Sequence, residues 1–140
     1  METSELQRRQ LIEHLLTQHA QMKAADAVSL WEPMAAQIVG IVGEGGFNSL
    51  YARSLFLSQN TFPWLAACAL SAQEARRFVQ LQTCFESQTS AQVHAANAHL
   101  LITFTNILAG LIGNQLTTLI LRSAWSNMVQ DSINKEFKDG

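Results

Sequence analysis

Charge is scarce in this chain. Charged residues make up 14% of its 140 positions, where about 25% is usual for a globular domain, so the surface is expected to be polar rather than ionic, or covered in part by a partner. Nine Lys and Arg stand against eleven Asp and Glu, for a formal charge of −2, and the basic residues are dispersed. Without a basic stripe to track phosphates, no nucleic-acid partner is expected. Proline occurs twice, no Asn-Gly or Asp-Gly pair stands between two apolar runs, and no stretch alternates apolar with polar residues, which excludes β-hairpins. Cysteine is limited to Cys68 and Cys84. Neither stands in a CxxC pair or beside a histidine, so both read as buried reduced thiols of a cytoplasmic protein. Gly-x-Ser-x-Gly, His-Glu-x-x-His and Glu-x-x-His are missing, and no catalytic residue, metal ligand or cofactor is assigned.

An apolar leader is also missing, since Met1 to Arg9 is polar and runs into an amphipathic pattern. Leu100 to Leu121 holds no charge and is long enough to cross about 30 Å of hydrocarbon. Thr103, Thr105, Asn106, Asn114, Gln115, Thr117 and Thr118 dilute it, and a glycine turn divides it. Two buried helices, with no membrane span, are the expectation.

What the chain does hold is apolar residues at intervals of three and four, so the predicted fold is an all-α single domain, a compact bundle of about six helices. Hydrophobic residues reach 48%, and a chain of this length can bury roughly two-thirds of its unfolded surface. Ser4-Glu5-Leu6-Gln7, Ser29-Leu30-Trp31-Glu32 and Ser71-Ala72-Gln73-Glu74 read as capping boxes, in which a serine accepts from an N3 amide and the acid or amide reaches back. The first helix carries Leu11, Leu15, His19 and Met22 along one stripe. A second starts at Leu30 and ends at Gly43, Gly45 and Gly46, and a third runs from Phe47 to Ser58. Pro63 falls in the first turn of a short helix to Leu70, and the helix opened by Ser71 reaches about Glu86. Ser87 to Ala91 is open to two readings, a joint or an exposed turn of one long helix. Beyond it, Val93, Asn97, Leu100, Phe104, Ile107, Leu108 and Leu111 trace a face up to Gly113. Leu116, Leu119, Ile120 and Trp125 trace another.

One stretch occurs twice. Val39-Gly40-Ile41-Val42-Gly43-Glu44 returns as Ala109-Gly110-Leu111-Ile112-Gly113-Asn114. Downstream, Phe47, Leu50, Arg53, Ser54 and Phe56 align with Leu116, Leu119, Arg122, Ser123 and Trp125 once a single residue is deleted from the second copy. Halves at 1–70 and 71–140, related by a pseudo-two-fold, are the implied organisation, with Gly40 and Gly110 at the close approach of two helices.

The candidates for binding are Glu44, Arg53, Arg122, Gly43 and Gly113. Matching arginines on helices poor in charge could hold an anion or a partner's carboxylate, with Glu44 as the nearest internal counter-charge. Gly43-Glu44-Gly45-Gly46 lacks the Gly-Lys-Ser/Thr ending of a phosphate loop and reads as a helix end. His14 with His19, and His94 with His99, stand five apart, which turns the second ring by about 140° on a helix and prevents either pair from clamping one metal. The expected function is a non-enzymatic interaction or regulatory module, homodimeric and bound to a protein partner; Trp31, Tyr51, Phe56, Trp64 and Trp125 are more aromatics than a small helical core needs and are open to two readings, an interface or core packing. The alternative is a sensory domain holding an apolar small molecule or tetrapyrrole between the halves.

Overall fold

A break of fixed geometry divides each of the two central helices from the helix that follows it. The computed structural model describes residues 2–17, 23–70 and 77–126. Among them are five α-helices, α1 (Glu2–Thr17), α2 (Ala24–Ser58), α3 (Arg77–Glu86), α4 (Ser90–Ile112) and α5 (Asn114–Ala124), a 3₁₀ segment at Pro63–Leu70, and no strand. The all-helical class is as expected. Five α-helices stand among the described residues where about six were expected; α2, counted as one element to Ser58, consists of two helical parts that meet at Gly43, where the backbone leaves helical geometry (φ 82°, ψ 168°) at the expected helix end. Gly45 and Gly46, expected to help end the helix, lie inside its second part.

The start of α2 also differs. It begins at Ala24, ahead of Leu30, because Asp26 accepts from the Lys23 backbone N–H at 3.3 Å and supplies half of a cap; a lysine side chain has no acceptor to supply the other half. Ser29 is thus interior, its hydroxyl donating to the Asp26 carbonyl at 2.6 Å. The box proposed at Ser71, and the stripe positions His19 and Met22, lie outside the described residues. At Thr89 the box is complete: Gln92 N–H donates to Thr89 Oγ1 at 3.1 Å and Thr89 N–H to Gln92 Oε1 at 3.1 Å. The Ser87–Ala91 question resolves as a joint, with α4 opening at Ser90.

The helices α2 and α4 pack on each other at the centre. On the outside, α1 lies against α4 and α5, whereas α3 and the 3₁₀ segment lie against α2. Between the central helices Trp31, Met34, Ile38, Phe47 and Phe104 are fully buried. Trp31 meets Phe104 edge-on at 5.3 Å between ring centres and Tyr51 at 5.5 Å, and Phe47 lies 5.2 Å from Phe104. Such rings bring apolar area together with favourable quadrupole contacts. The Trp31 indole N–H donates to Asn97 Oδ1 at 2.8 Å and that of Trp125 to the Leu30 carbonyl at 2.8 Å. The hydroxyls of Ser54, Thr105, Thr117 and Thr118 bond carbonyls one turn back. Each polar group is thereby satisfied where water is excluded, which explains how α4 and α5 carry so many hydroxyls inside.

Cys84 corrects the expectation of reduced thiols: it is disulfide-bonded, and the sequence has one other cysteine, Cys68. The Cys84 sulfur carries no proton, so its 3.6 Å approach to the Trp64 carbonyl is a contact rather than a hydrogen bond. By length and composition α4 could cross a membrane, although 39% of its most apolar window is buried within the fold.

Candidate functional site

The two glycines at the helix breaks share one backbone state. Gly43 has φ 82° and ψ 168°, and Gly113 has φ 94° and ψ 157°, a region that only glycine occupies without strain. Around them burial runs in parallel at a constant offset of 70: each position from Met34 to Gly43 has the same burial class as its counterpart from Phe104 to Gly113. Beyond the break the same offset pairs buried Phe47, Leu50, Tyr51 and Leu55 with buried Thr117, Ile120, Leu121 and Trp125. The expected one-residue deletion would pair buried Phe47 and Leu50 with exposed Leu116 and Leu119, so burial does not follow it. Arg53 stands opposite Ser123, and Arg122 opposite Ala52.

That shift removes the rationale for a paired-arginine site. Arg53 and Arg122 are both exposed, and no ion pair among the described residues joins either to Glu44, which is also exposed; the pair present is Arg9 with Glu13 at 3.4 Å on the surface of α1. Gly40 and Gly110 are not a helix crossing either. Both are exposed, and a Cβ added at either would meet nothing within 4 Å. The expected tight contact fails because these glycines point outward, while Trp31 and Phe104 hold the central helices apart.

A residue that sequence reasoning passed over is the buried cation. Arg8, 2% exposed, donates from Nη1 to Asn114 Oδ1 at 2.8 Å and from Nη2 to Asn106 Oδ1 at 3.0 Å. It therefore ties α1 to the end of α4 and to the first residue of α5, immediately after the Gly113 break. The signal was available, since Arg8 stands one turn before Ile12 on the buried stripe of α1. His94 and His99 contact groups within the fold. His94 Nε2 donates to the Leu16 carbonyl at 3.0 Å, and His99 Nδ1 lies 3.1 Å from Ser58 Oγ. Ser58 has no accessible surface, so it cannot attack a substrate. His14 is exposed, and no group of three His, Cys, Asp or Glu capable of holding a metal occurs among the described residues.

What the surface offers is apolar. Leu111 is 67% exposed, Leu119 60%, Ile41 49% and Leu116 41%, although the periodicity put Leu111, Leu116 and Leu119 in the core. Leu116 and Leu119, three apart, share one face of α5. The Gln37 amide donates to Ser123 Oγ at 3.1 Å and the Leu30 carbonyl accepts from Trp125, so α2 and α5 run antiparallel along their seam. One turn beyond Gln37 is Ile41, and one turn before Ser123 is Leu119, which brings the two exposed side chains to the same side. From Ser87 to Leu121 no exposed position is charged. Of the aromatics expected at an interface, Trp31, Tyr51 and Trp125 are core residues, Trp64 is half-buried and Phe56 alone is well exposed, at 69%.

A groove of about 920 Å³ opens at a separate place, between the 3₁₀ segment and α3, lined in part by Pro63, Trp64, Val79, Thr83 and Cys84. It does not touch Gly40, Gly43, Gly110 or Gly113. No family model, curated protein or solved structure matches the chain.

Proposed function

We propose that the chain is a non-enzymatic helical interaction module whose docking surface is the uncharged apolar patch of Ile41, Leu116 and Leu119, and that a second copy of the chain covers it. The observation that carries this reading is the joint exposure of those side chains beside a run, Ser87 to Leu121, that holds no charged residue, with the exposed Glu44 and Arg122 at its border. Large apolar side chains clustered where no charge competes are typical of surfaces that become covered. A homodimer uses one such patch twice, with no need for complementary charges.

Internal duplication belongs to the same reading. Its support is the shared backbone state of Gly43 and Gly113, the parallel burial at one offset, and the exchange of outer helices, by which α1 covers α4 and α5 while α3 covers α2. The filled space between Trp31, Met34, Phe47 and Phe104 favours this over a tetrapyrrole or other apolar ligand held between the halves. A cytoplasmic location was part of the expectation. The bonded Cys84 weighs against it, because disulfides persist mainly in oxidising compartments.

Sedimentation equilibrium tests the dimer. The expected result is an average mass that rises from one chain toward two across the micromolar range, and a monomer for Leu119→Glu at the same concentrations. A single-chain mass throughout rejects the second copy as occupant. Binding of the monomer to lipid vesicles, lost in Leu119→Glu, would assign the patch to a membrane surface instead.

A further inference from the structure

The groove between the 3₁₀ segment and α3 has a reactive bond in its wall. Cys84 is disulfide-bonded, half-buried, and lines the groove beside Trp64, Val79, Gln80, Thr83 and Ser87. The opening is in the size range of small-molecule sites, and the described residues that line it are uncharged. Another face of α3 is committed to the core through Phe78, whose ring lies 5.8 Å from Tyr51 and 6.2 Å from both Trp31 and Phe47. Cys84 is partly buried against the edge of that core and also lines the groove, on the flank of a helix anchored through Phe78.

We propose that Cys84 is a thiol-exchange site, at which a small thiol of the glutathione class enters the groove and opens the disulfide while the helical core stays folded. The attacking thiolate forms a new S–S bond to Cys84, and the original bond breaks with its electron pair on the other cysteine sulfur, which takes up a proton. A second thiol then attacks the mixed disulfide. It leaves as the oxidised dimer of the small thiol, and two electrons have passed to the protein, leaving two cysteine thiols. Exchange of this kind depends on access to the sulfur and on the thiolate fraction of the attacker. Access is what the groove provides. The polar amide and hydroxyl groups of Gln80, Thr83 and Ser87 suit the amide backbone of a peptide thiol, and the Trp64 ring supplies an apolar wall.

The test uses the full oxidised chain with reduced glutathione in native buffer, followed by intact mass and by tryptophan emission, since a neighbouring disulfide quenches an indole. The expected result is a transient adduct of one glutathione per chain, then full reduction, with a rise in emission that is absent from Trp64→Phe. The rate should stay within about twofold when urea is added below the unfolding transition, as for a site open in the native state. Ser87→Trp, filling the groove from an exposed position, should slow exchange by about fivefold or more through lost access. Two results would overturn the proposal. One is a rate that climbs with urea in step with global unfolding, which marks a sealed staple. The other is alkylation of both cysteines before any reductant is added, which means that no bond exists.

Discussion

Glycine to alanine is the same chemical change at four positions of this chain, and its sign should differ between them. At Gly43 and Gly113 a Cβ would meet nothing within 4 Å, so the cost is purely conformational, about 1–3 kcal/mol for forcing an L residue into that region. At Gly40 and Gly110 the backbone is helical and the space is also open, so alanine should stabilise by about 0.5–1 kcal/mol through helix propensity. Urea denaturation of the four variants checks this, and a loss of stability at Gly40 or Gly110 would point to a neighbour not yet seen. A second residue-scale prediction concerns Asn97. Removing its carbonyl in Asn97→Leu strands the buried Trp31 N–H, which should cost about 1–3 kcal/mol, measured in the same way. The helix-ending role of Gly43 and Gly113 was legible because positive φ is the one thing glycine alone does well. The orientation of Gly40 and Gly110 was not, because a missing side chain reports permission to pack closely and says nothing about what stands opposite.

At the scale of elements, the break after α4 is a corner with its hydrogen bonds intact. Gly113 N–H donates to the Ala109 carbonyl at 2.9 Å, and the Gly113 carbonyl accepts from Thr117 N–H at 3.2 Å and Thr117 Oγ1 at 2.8 Å. Arg8 braces it from α1. Arg8→Ala should therefore cost about 1.5–3 kcal/mol, the range for hydrogen bonds to a charged donor, and hydrogen exchange should quicken at α1 and at residues 113–117 more than in α2. Equal quickening everywhere would mean that Arg8 contributes to global stability alone. Helix identity was readable from spacing, whereas the cap at Thr89 was passed over although Thr89 and Gln92 carry the Thr-x-x-Gln pattern. Faces were less readable. Leu116 and Leu119 keep helical periodicity but rotate outward, because the corner at Gly113 resets the direction of α5 and no local rule specifies that angle, while Leu111 is exposed at the end of α4 just before that corner. Arg53 and Arg122 were paired through a deletion that matched residue types, whereas burial, which answers to tertiary packing, keeps one register.

For the whole molecule, the low charge that stood out in the sequence is now localised. Its exposed share follows α4 and the start of α5, beside Ile41, and the dimer proposed there makes apparent stability depend on protein concentration. Thermal unfolding of the parent chain should shift upward with concentration while that of Leu119→Glu does not; identical midpoints at all concentrations would remove self-association as the use of the patch.

The outer helices have a last consequence. Because α1 rests on α4 and α5, and α3 rests on α2, severing the chain at the exposed turn of Asn60 and Thr61 yields two pieces that each keep a lid belonging to the other. Separately, each piece should show little helical circular dichroism. Mixed in equal amounts, they should reassemble into one complex, two strands of a knotless clasp that closes only when both are present.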